Sequence, residues 1–410
     1  MNTGTIRKRS FLCIGGYEPV DAAWWHRRFV RELKRFETTW NAKAAASEPV
    51  GAEDKTVARW TIEAEGANWK TETDYRLLCW DDFVTADFHR SDTVRVPRGI
   101  VALADFILSG TAFRYFRTSV RYGFFFLYPV LILILMATLA GFIPNLLGRF
   151  GVMLPLWAAI LVSIAVFIGL LYVPGRFLLL NYMFDDWIFA SELAHHNRKG
   201  LDERLDRFAR ELVKCARDRS CDEVVLSAHS LGGALAMSVI DRALKLDPDL
   251  GARGPALWLM TTGSSLLKVA LHPKAEWIRE ATAHVADAKN LNWIEYHAVV
   301  DVISFFKTDP VVEMGLAPRG KPIVQTVRMR NMLAPETYKR FWGNFFRLHR
   351  QWSMGNELRY FYDYFQICCG PVPLARRVAA GDRLKNDFAT DGAYAAALAM
   401  PDKAAVGGQG

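Results

Sequence analysis

The sequence has few cysteines, and their arrangement excludes two classes of protein. Its 410 residues include Cys13, Cys79, Cys215, Cys221, Cys368 and Cys369. These spacings match neither a disulfide framework nor a metal-binding motif, so we expect neither a disulfide-stapled domain nor a metal site built on cysteine. Such cysteine usage favours a reducing compartment. The adjacent Cys368 and Cys369 are interpreted as small apolar residues of an aromatic helix.

The chain also lacks the features of a secreted protein and of a nucleic-acid-binding protein. The apolar run after Arg9 is too short for a signal peptide, so we do not expect secretion. The formal net charge of +8 would suit a nucleic acid, but no nucleic-acid-binding motif is present. Because the arginines are scattered or gather beside apolar segments, we expect a membrane surface with anionic lipid as the partner, and no nucleic acid.

Charged residues are missing from two long stretches, 123–147 and 151–175. Each exceeds the roughly 20 apolar residues with which a helix crosses a bilayer. Because few residues separate the two stretches, we expect an antiparallel transmembrane hairpin over 122–176, with its turn near Pro144 and Asn145. An apolar lid, or a loop that enters one leaflet only, is the alternative interpretation.

Arginines near these stretches predict which side of the membrane the rest of the chain occupies. Arg114, Arg117 and Arg121 precede the hairpin and Arg176 follows it, whereas Arg149 stands alone between the two stretches. The positive-inside rule then places both flanks in the cytoplasm. We therefore expect a multi-pass membrane protein with two transmembrane helices, whose flanking segments form one cytoplasmic catalytic domain.

Outside the hairpin, short apolar runs alternate with amphipathic helical patterns. Strands are predicted at 10–14, 56–65, 69–80, 255–262, 291–300 and 322–329. A helix is predicted at 274–288, and the small polar residues of 41–54 predict a loop. The order strand, helix, strand is what a parallel sheet requires. The predicted fold class is therefore α/β with a mostly parallel central sheet, into which the hairpin is inserted before Val224.

The most informative stretch is 224–240, VVLSAHSLGGALAMSVI. A helical pattern follows directly on an apolar run that ends just before Ser230, which predicts a strand, a sharp turn and a helix. Such a turn holds its serine in a strained conformation with the hydroxyl exposed, and it needs small residues two positions before and after the serine. Ala228 and Gly232 meet that need.

This GxSxG-like pattern, with alanine at its first small position, resembles the nucleophile elbow of the α/β-hydrolase superfamily, and of its lipases and esterases most closely. The resemblance implies that Ser230 is the nucleophile and that the amide of Leu231 belongs to the oxyanion hole. It also implies a second donor on the loop after an early strand, supplied by the amide of Gly16 or Tyr17. An ordinary strand-to-helix turn is the alternative at both places.

A serine nucleophile needs a histidine to accept its proton and a carboxylate to orient that histidine. In the superfamily the order along the chain is Ser, acid, His. The histidines that follow Ser230 are His272, His284, His297 and His349. Only His349 follows a plausible acid, because Asp301 stands at the carboxyl end of a predicted strand, where ligand sites collect in such sheets. Asp309 on the same loop is the alternative acid.

Three other histidines are interpreted as structural. His229 stands next to Ser230 and points the wrong way for a base, so a packing or pocket-lining role is predicted. His195 and His196 suggest a metal site, but no carboxylate or cysteine stands at ligand spacing in the sequence, so solvent-facing or interfacial positions are predicted. No metal and no organic cofactor is expected.

These patterns predict a membrane-anchored serine hydrolase that cleaves carboxylic esters, with a lipid or another acyl ester as substrate. Ser230, His349 and Asp301 would form its catalytic triad. Acyl transfer on the same triad is one alternative, and a catalytically silent hydrolase fold that serves as a membrane-binding or scaffolding protein is another. The oligomeric state is left open.

The predicted domain layout has four parts. They are 1–121 with the oxyanion loop, 122–176 as the hairpin, 177–375 with the triad, and 376–410 as a C-terminal extension. The Ala- and Gly-rich end of the extension, after about Pro401, is predicted to be disordered.

Overall fold

The computed structural model describes residues 5–51 and 55–395, so the predicted disordered tail after Pro401 lies outside the described residues. The chain divides into two compact units. The first comprises the described parts of Met1–Asp82, Lys199–Leu267 and Ile278–Gly410, and the second comprises Phe83–Arg198 and Lys268–Trp277.

The first unit contains a nine-stranded sheet with helices. The strands are β1 (Lys8–Ile14), β2 (Lys43–Ala46), β3 (Val50–Gly51), β4 (Val57–Gly66), β5 (Trp69–Leu78), β6 (Glu223–His229), β7 (Ala256–Thr262), β8 (Leu291–Ala298) and β9 (Ile323–Val327).

Helices α3 to α8 lie in the second unit. The α-helices are α1 (Ala22–Trp40), α2 (Asp81–Phe88), α3 (Asp92–Leu108), α4 (Thr111–Thr118), α5 (Val120–Arg149), α6 (Leu156–Tyr172), α7 (Pro174–Phe177), α8 (Leu180–Ala194), α9 (Leu201–Arg217), α10 (Gly232–Leu246), α11 (Leu266–Ala270), α12 (Glu276–Asp287), α13 (Pro310–Glu313), α14 (Pro335–Phe341), α15 (Phe345–Arg350), α16 (Tyr364–Cys369) and α17 (Leu374–Ala380). Three 3-10 helices cover Met329–Asn331, Gln351–Ser353 and Gly381–Asp387.

The sheet order is β2-β4-β5-β1-β6-β7-β8-β9, with β3 paired to β4. From β5 to β9 all neighbours are parallel, whereas β4 and β5 form an antiparallel pair. The prediction of an α/β fold with a mostly parallel central sheet is therefore confirmed. In the register of β1 and β6, Ile14 is opposite Ala228, so these two strands end at the same edge. The residues that follow them are brought together for that reason.

The segment 41–54, predicted as a loop, contains the two short strands β2 and β3, each antiparallel to β4. Only one face of β2 packs, since Ala44 is buried while Lys43 and Ala45 are exposed. Natural sheets keep such edge strands short and polar, which prevents pairing with other chains. The small and polar residues of 41–54, which predicted a loop, therefore also suit short edge strands.

In the second unit, α5 and α6 pack against each other and are joined by residues 150–155. The turn therefore lies after Arg149 and not near Pro144 as predicted. Proline removes one intrahelical hydrogen bond, and the apolar residues on both sides of Pro144 still continue the helix. By length and composition, α5 is the single helix of the described residues that could cross a membrane, and the bent pair of α3 and α4 passes the same test when it is counted as one span. The apolar α6 has 17 residues.

The two units are divided differently from the predicted domain layout. Residues 83–121, 177–198 and 268–277 belong to the second unit, where α3 and α8 pack against each other. The C-terminal extension contributes to the interior of the first unit, where Leu384, Phe388 and Tyr394 join its aromatic core. A 3-10 helix and irregular backbone carry no periodic hydrophobic pattern, so this packing leaves little trace in the sequence.

Candidate active site

Ser230 lies in the turn between β6 and α10, at the carboxyl edge of the sheet. Its φ of +56° is in the left-handed region, which non-glycine residues seldom adopt. The turn requires glycine at position 232, because a Cβ there would lie 2.5 Å from the carbonyl oxygen of Gly15. The amides of Gly233 and Ser265 both donate to the carbonyl oxygen of Ser230, at 3.0 Å. These contacts fix the backbone from which the hydroxyl projects.

His349 in α15 is hydrogen-bonded to Asp301 in the loop after β8. Its Nδ1 lies 2.9 Å from each carboxylate oxygen of Asp301. Because a carboxylate only accepts, this bond keeps a proton on Nδ1 and leaves Nε2 as the accepting nitrogen of the neutral ring. Nε2 is buried and has no hydrogen-bond partner among the described residues. The ring is therefore oriented as a proton acceptor would be.

Further contacts hold Asp301 in position. The indole N–H of Trp352 donates to its Oδ2 at 2.7 Å, and the amide of Ile303 donates to its Oδ1 at 3.2 Å. Gly263 makes room for this group, since a Cβ there would lie 2.7 Å from Oδ2. Burial alone would raise the pKa of Asp301, but the charge of His349 and the hydrogen bonds from His349 and Trp352 lower it below its ordinary value. Asp301 is thus a stabilised buried carboxylate.

Ser230 and His349 lie in the same cluster without a hydrogen bond between their side chains in the described structure. The hydroxyl of Ser230 is 3.5 Å from that of Ser265. His349 packs beside the residue before Ser230, because the ring centroids of His229 and His349 are 4.5 Å apart. Catalytic hydrogen bonds are often loose without substrate and tighten in the complex.

His229 is engaged with the backbone of His349. Its Nε2 donates to the carbonyl oxygen of His349 at 3.1 Å. Burial, together with the charge of His349, lowers the pKa of His229 to about 3. The ring is therefore neutral at neutral pH, and so low a pKa makes it a weak proton acceptor. This placement is that of a lining residue.

The loop after β1 lies against Ser230. A Cβ on Gly16 would be 3.0 Å from Cβ of Ser230 and 3.3 Å from Nδ1 of His229. Tyr17 is buried, with its ring centroid 6.1 Å from that of Trp80. Leu231 is the residue before α10, where amides precede the first intrahelical hydrogen bonds. The structure thus brings Gly16, which is distant in sequence, to the same place in the fold as Ser230 and Leu231.

An ion pair joins this loop to the helix that carries His349. The carboxylate of Glu18 accepts from Nε of Arg350 at 2.6 Å and lies 3.5 Å from Arg28. Burial alone would raise the pKa of Glu18, but the charges of Arg350 and Arg28 lower it. Each residue is close in sequence to a site residue, since Glu18 follows Tyr17 and Arg350 follows His349. No sequence pattern signals this pair, because its members are 332 positions apart.

Asp309, the alternative acid, is a helix cap. Its carboxylate accepts from the amides of Val311 and Val312, at 2.9 and 3.4 Å, at the start of α13. Those bonds satisfy the free amides of a helix N-terminus. Asp301 is therefore the carboxylate that the structure brings to His349.

A separate cluster in the second unit has three potential metal ligands close together. Asp105, His195 and His272 offer atoms that all lie within 4.8 Å of one another. The sequence did not suggest this group, because Asp105 and His272 stand far from His195 along the chain. Nε2 of His195 and Nε2 of His272 are 3.1 and 3.3 Å from the carboxylate of Asp105.

Sequence reasoning missed Trp352 and Gly263, which complete the surroundings of Asp301. Trp352 stands three positions after His349, a spacing that puts two residues on one side of a helical segment. Gly263 ends the predicted strand that became β7, and its φ of +51° explains why glycine stands there. Compared with protein-family models, with curated proteins and with solved structures, the chain has no match.

Proposed function

We propose that this protein is a membrane-anchored serine hydrolase of the α/β-hydrolase type that cleaves carboxylic esters of lipids or other acyl compounds. The observation that carries the proposal is the buried pair of His349 and Asp301. Nδ1 of that histidine is held by the carboxylate and its Nε2 has no partner among the described residues. The pair lies beside the strained turn of Ser230.

In the proposed first step, Oγ of Ser230 attacks the ester carbonyl carbon and Nε2 of His349 takes the hydroxyl proton. Asp301 stabilises the imidazolium that forms, because its lowered pKa keeps it ionised. The charge that develops on the carbonyl oxygen is stabilised by the amide of Leu231 and by that of Gly16 or Tyr17. Preorganised amides of this kind typically contribute about 10²–10³ in rate per donor.

The second step completes turnover. The tetrahedral intermediate collapses, the bond from the carbonyl carbon to the leaving oxygen breaks, and His349 returns its proton to the leaving alcohol. Water then gives a proton to Nε2 of His349 and attacks the acyl carbon. The bond from that carbon to Oγ of Ser230 breaks, His349 returns the proton to Oγ, and the acid is released. These steps need no metal or organic cofactor.

The sheet supports the hydrolase assignment. β6 is flanked by β1 and β7, and all three are parallel. Gly16, Ser230 and Asp301 all follow the carboxyl ends of strands, where ligand sites collect in sheets of this kind. A serine elbow after a central strand, with an acid and a base from later segments, is the arrangement that the resemblance implies.

The surface of α5 and α6 supports the membrane anchor. Only 22% of the most apolar part of α5 is buried although its mean hydropathy is 2.4, and none of the residues of α6 is buried. A core helix of a soluble domain would bury such a face. Trp157 and Tyr172, near the two ends of α6, are exposed, as aromatic residues at membrane interfaces are. With 17 residues, α6 is about 25 Å long, so it spans a bilayer of about 30 Å with local adaptation or enters one leaflet.

The proposed preference for acyl esters rests on the anchor and on the site's surroundings. A small cleft beside Gly16 is lined by the apolar side chains of Val20, Trp25 and Trp80, and also by Glu18 and Asp81. The apolar part of this lining suits a hydrocarbon chain. An anchored enzyme also meets its lipid substrate in the same bilayer.

The decisive experiment uses the detergent-purified full chain and esters of short, medium and long acyl chains. We expect Ser230→Ala to lose turnover and labelling by a fluorophosphonate, since both need the hydroxyl. Ser238→Ala is the control, because it removes a serine hydroxyl that is buried within α10, outside the turn. Unchanged turnover or labelling of Ser230→Ala would refute the proposed mechanism.

The same preparation separates the remaining functions. Formation of a new ester in the presence of an added alcohol, in place of free acid, would assign acyl transfer. Absence of both labelling and turnover in the folded wild type would instead favour a binding or scaffolding protein. A turnover profile that rises with acyl chain length would support a lipid substrate.

A further inference from the structure

Helix α3 has an exposed apolar stripe in addition to its buried face. Arg95, Gly99, Ala102, Leu103 and Phe106 are buried, and this part of the second unit packs against α8. On the remaining surface, large apolar side chains recur at helical spacing and are exposed to solvent; they are Val94, Ile100, Val101, Ile107 and Leu108. A helix that is apolar on two sides needs cover on both.

The stripe continues towards the proposed anchor. Leu108, at the end of α3, is 86% exposed, and Phe113 in α4 is 73% exposed. α4 packs against α5, whose first residues Val120 and Phe124 are also exposed. The exposed apolar surface therefore extends from α5 back to α3, beyond the region 122–176 that the hydropathy of the sequence had marked.

Charges beside this surface suit the headgroup region of a bilayer. Arg117 and Arg121 are exposed between Phe113 and the apolar part of α5. Basic residues next to a membrane segment attract anionic lipid. Arg95, in the first half of α3, is paired with Asp185 at 2.7 Å. An ion-pair network there does not fit the hydrocarbon core. Together α3 and α4 are long and apolar enough for one span, but a bend of 67° lies between them.

We propose that the end of α3 together with α4, called the shoulder (100–118), lies in the interfacial layer of a bilayer that contains anionic lipid. Interfacial helices bury an apolar face about 5–10 Å deep while their charged residues stay at the headgroups. The shoulder is then a second membrane contact of the chain, next to the hairpin. This inference builds on the membrane anchor of the proposed function and adds a surface outside it.

The test measures depth with a fluorophore on single introduced cysteines. The variants are Leu108→Cys and Phe113→Cys in the shoulder, Leu135→Cys in α5 and Leu246→Cys in α10. The natural cysteines are buried, so mild labelling with a nitrobenzoxadiazole reagent favours the new site. Labelled full-length protein is reconstituted into vesicles of phosphatidylcholine and phosphatidylglycerol whose acyl chains are brominated either near the headgroup or near the chain end. Circular dichroism checks that each variant is folded.

We expect blue-shifted emission at positions 108 and 113 with quenching by the shallow bromines, deep quenching at 135, and neither effect at 246. Quenching at 113 should weaken when phosphatidylglycerol is omitted, and equal quenching would contradict the role of anionic lipid. Emission as in water at 108 and 113, with deep quenching at 135, would overturn the shoulder and leave the anchor standing. Blue-shifted but unquenched emission there would mean cover by protein, such as a second copy, and would also overturn it. Loss of quenching at 135 alone would count against the anchor and not against the shoulder.

Discussion

His349 in the first unit and His272 in the second unit are both buried beside an aspartate. They differ in the hydrogen bonding of the ring nitrogen that does not face the aspartate. Nδ1 of His349 is bonded to Asp301, and its Nε2 has no partner among the described residues. Nε2 of His272 contacts Asp105 at 3.3 Å, while its Nδ1 accepts from the amide of Lys274 at 3.2 Å. A histidine beside a carboxylate is therefore a candidate base only when its other nitrogen is open.

The same difference bears on metal binding by the second unit. If Nδ1 of His272 accepts a backbone hydrogen bond, the neutral ring carries its proton on Nε2, the nitrogen that faces Asp105. A metal ion at that nitrogen would need the opposite tautomer. The contacts of Asp105 with His272 and with Ser191, whose hydroxyl donates at 2.9 Å, are those of a hydrogen-bonded network that joins α3 to α8.

Asp301→Asn is expected to give the largest effect on kcat that distinguishes the His349–Asp301 pair from the His272–Asp105 pair. An amide in place of the carboxylate can hold the wrong tautomer of His349 and cannot stabilise an imidazolium, so kcat for ester hydrolysis should fall by about 10³–10⁴. Asp105→Asn is the matched variant and should keep wild-type kcat. Equal losses in the two variants, measured on folded protein, would contradict the assignment of roles.

A smaller loss is expected from Gly16→Ala. The added methyl would lie 3.0 Å from Cβ of Ser230 and 3.3 Å from Nδ1 of His229, so the loop must move away from Ser230. We expect kcat to fall by about tenfold to a hundredfold, below the loss of a complete oxyanion donor. Gly51→Ala serves as the control, since a methyl group added there would meet no atom within 4 Å. Wild-type kcat in Gly16→Ala would remove this loop from the site.

His229→Gln tests the site through stability instead of rate. The folded-state pKa of His229, about 3, lies below the ordinary value near 6.5, so the unfolded chain binds a proton that the folded one does not. The contribution of His229 to the free energy of unfolding should thus be fully present above pH 6.5. It should be lost as the pH falls towards 3, by roughly a kcal/mol per pH unit. The free energy of unfolding of the first unit, measured with denaturant between pH 4 and 7, should depend less steeply on pH in His229→Gln than in the wild type. An unchanged slope would mean that His229 is not a neutral buried ring.

The smallest effect is expected from the ion pair that joins the loop after β1 to α15. Glu18→Gln and Arg350→Gln should each lower kcat a few-fold with little change in KM, because they loosen the position of the loop relative to His349. The double variant should lose no more than the larger single loss, since residues that act through one contact are not additive. Independent, multiplied losses would show that the pair is not a positioning contact.

The sequence predicted the parts of the fold that have a regular pattern. Apolar runs and the small residues around Ser230 predicted β6, the turn and α10, and the order of acid and base along the chain selected Asp301 and His349. The sequence did not predict that Leu384 packs into the core from a 3-10 helix, and it did not predict the edge strands β2 and β3. Irregular and edge segments have no hydrophobic period, so their place depends on what they pack against.

Local sequence was sufficient to predict the turn at Ser230, because a strained turn and the start of a helix depend on neighbours along the chain. The contacts that orient the site depend instead on residues far apart in the sequence. The room that Gly263 leaves for Asp301, the indole bond of Trp352 and the Glu18–Arg350 ion pair all arise only when the parallel strands align their carboxyl ends at one edge. Only the tertiary structure could decide them, because distance in space, and not order along the chain, sets hydrogen bonds and charge interactions.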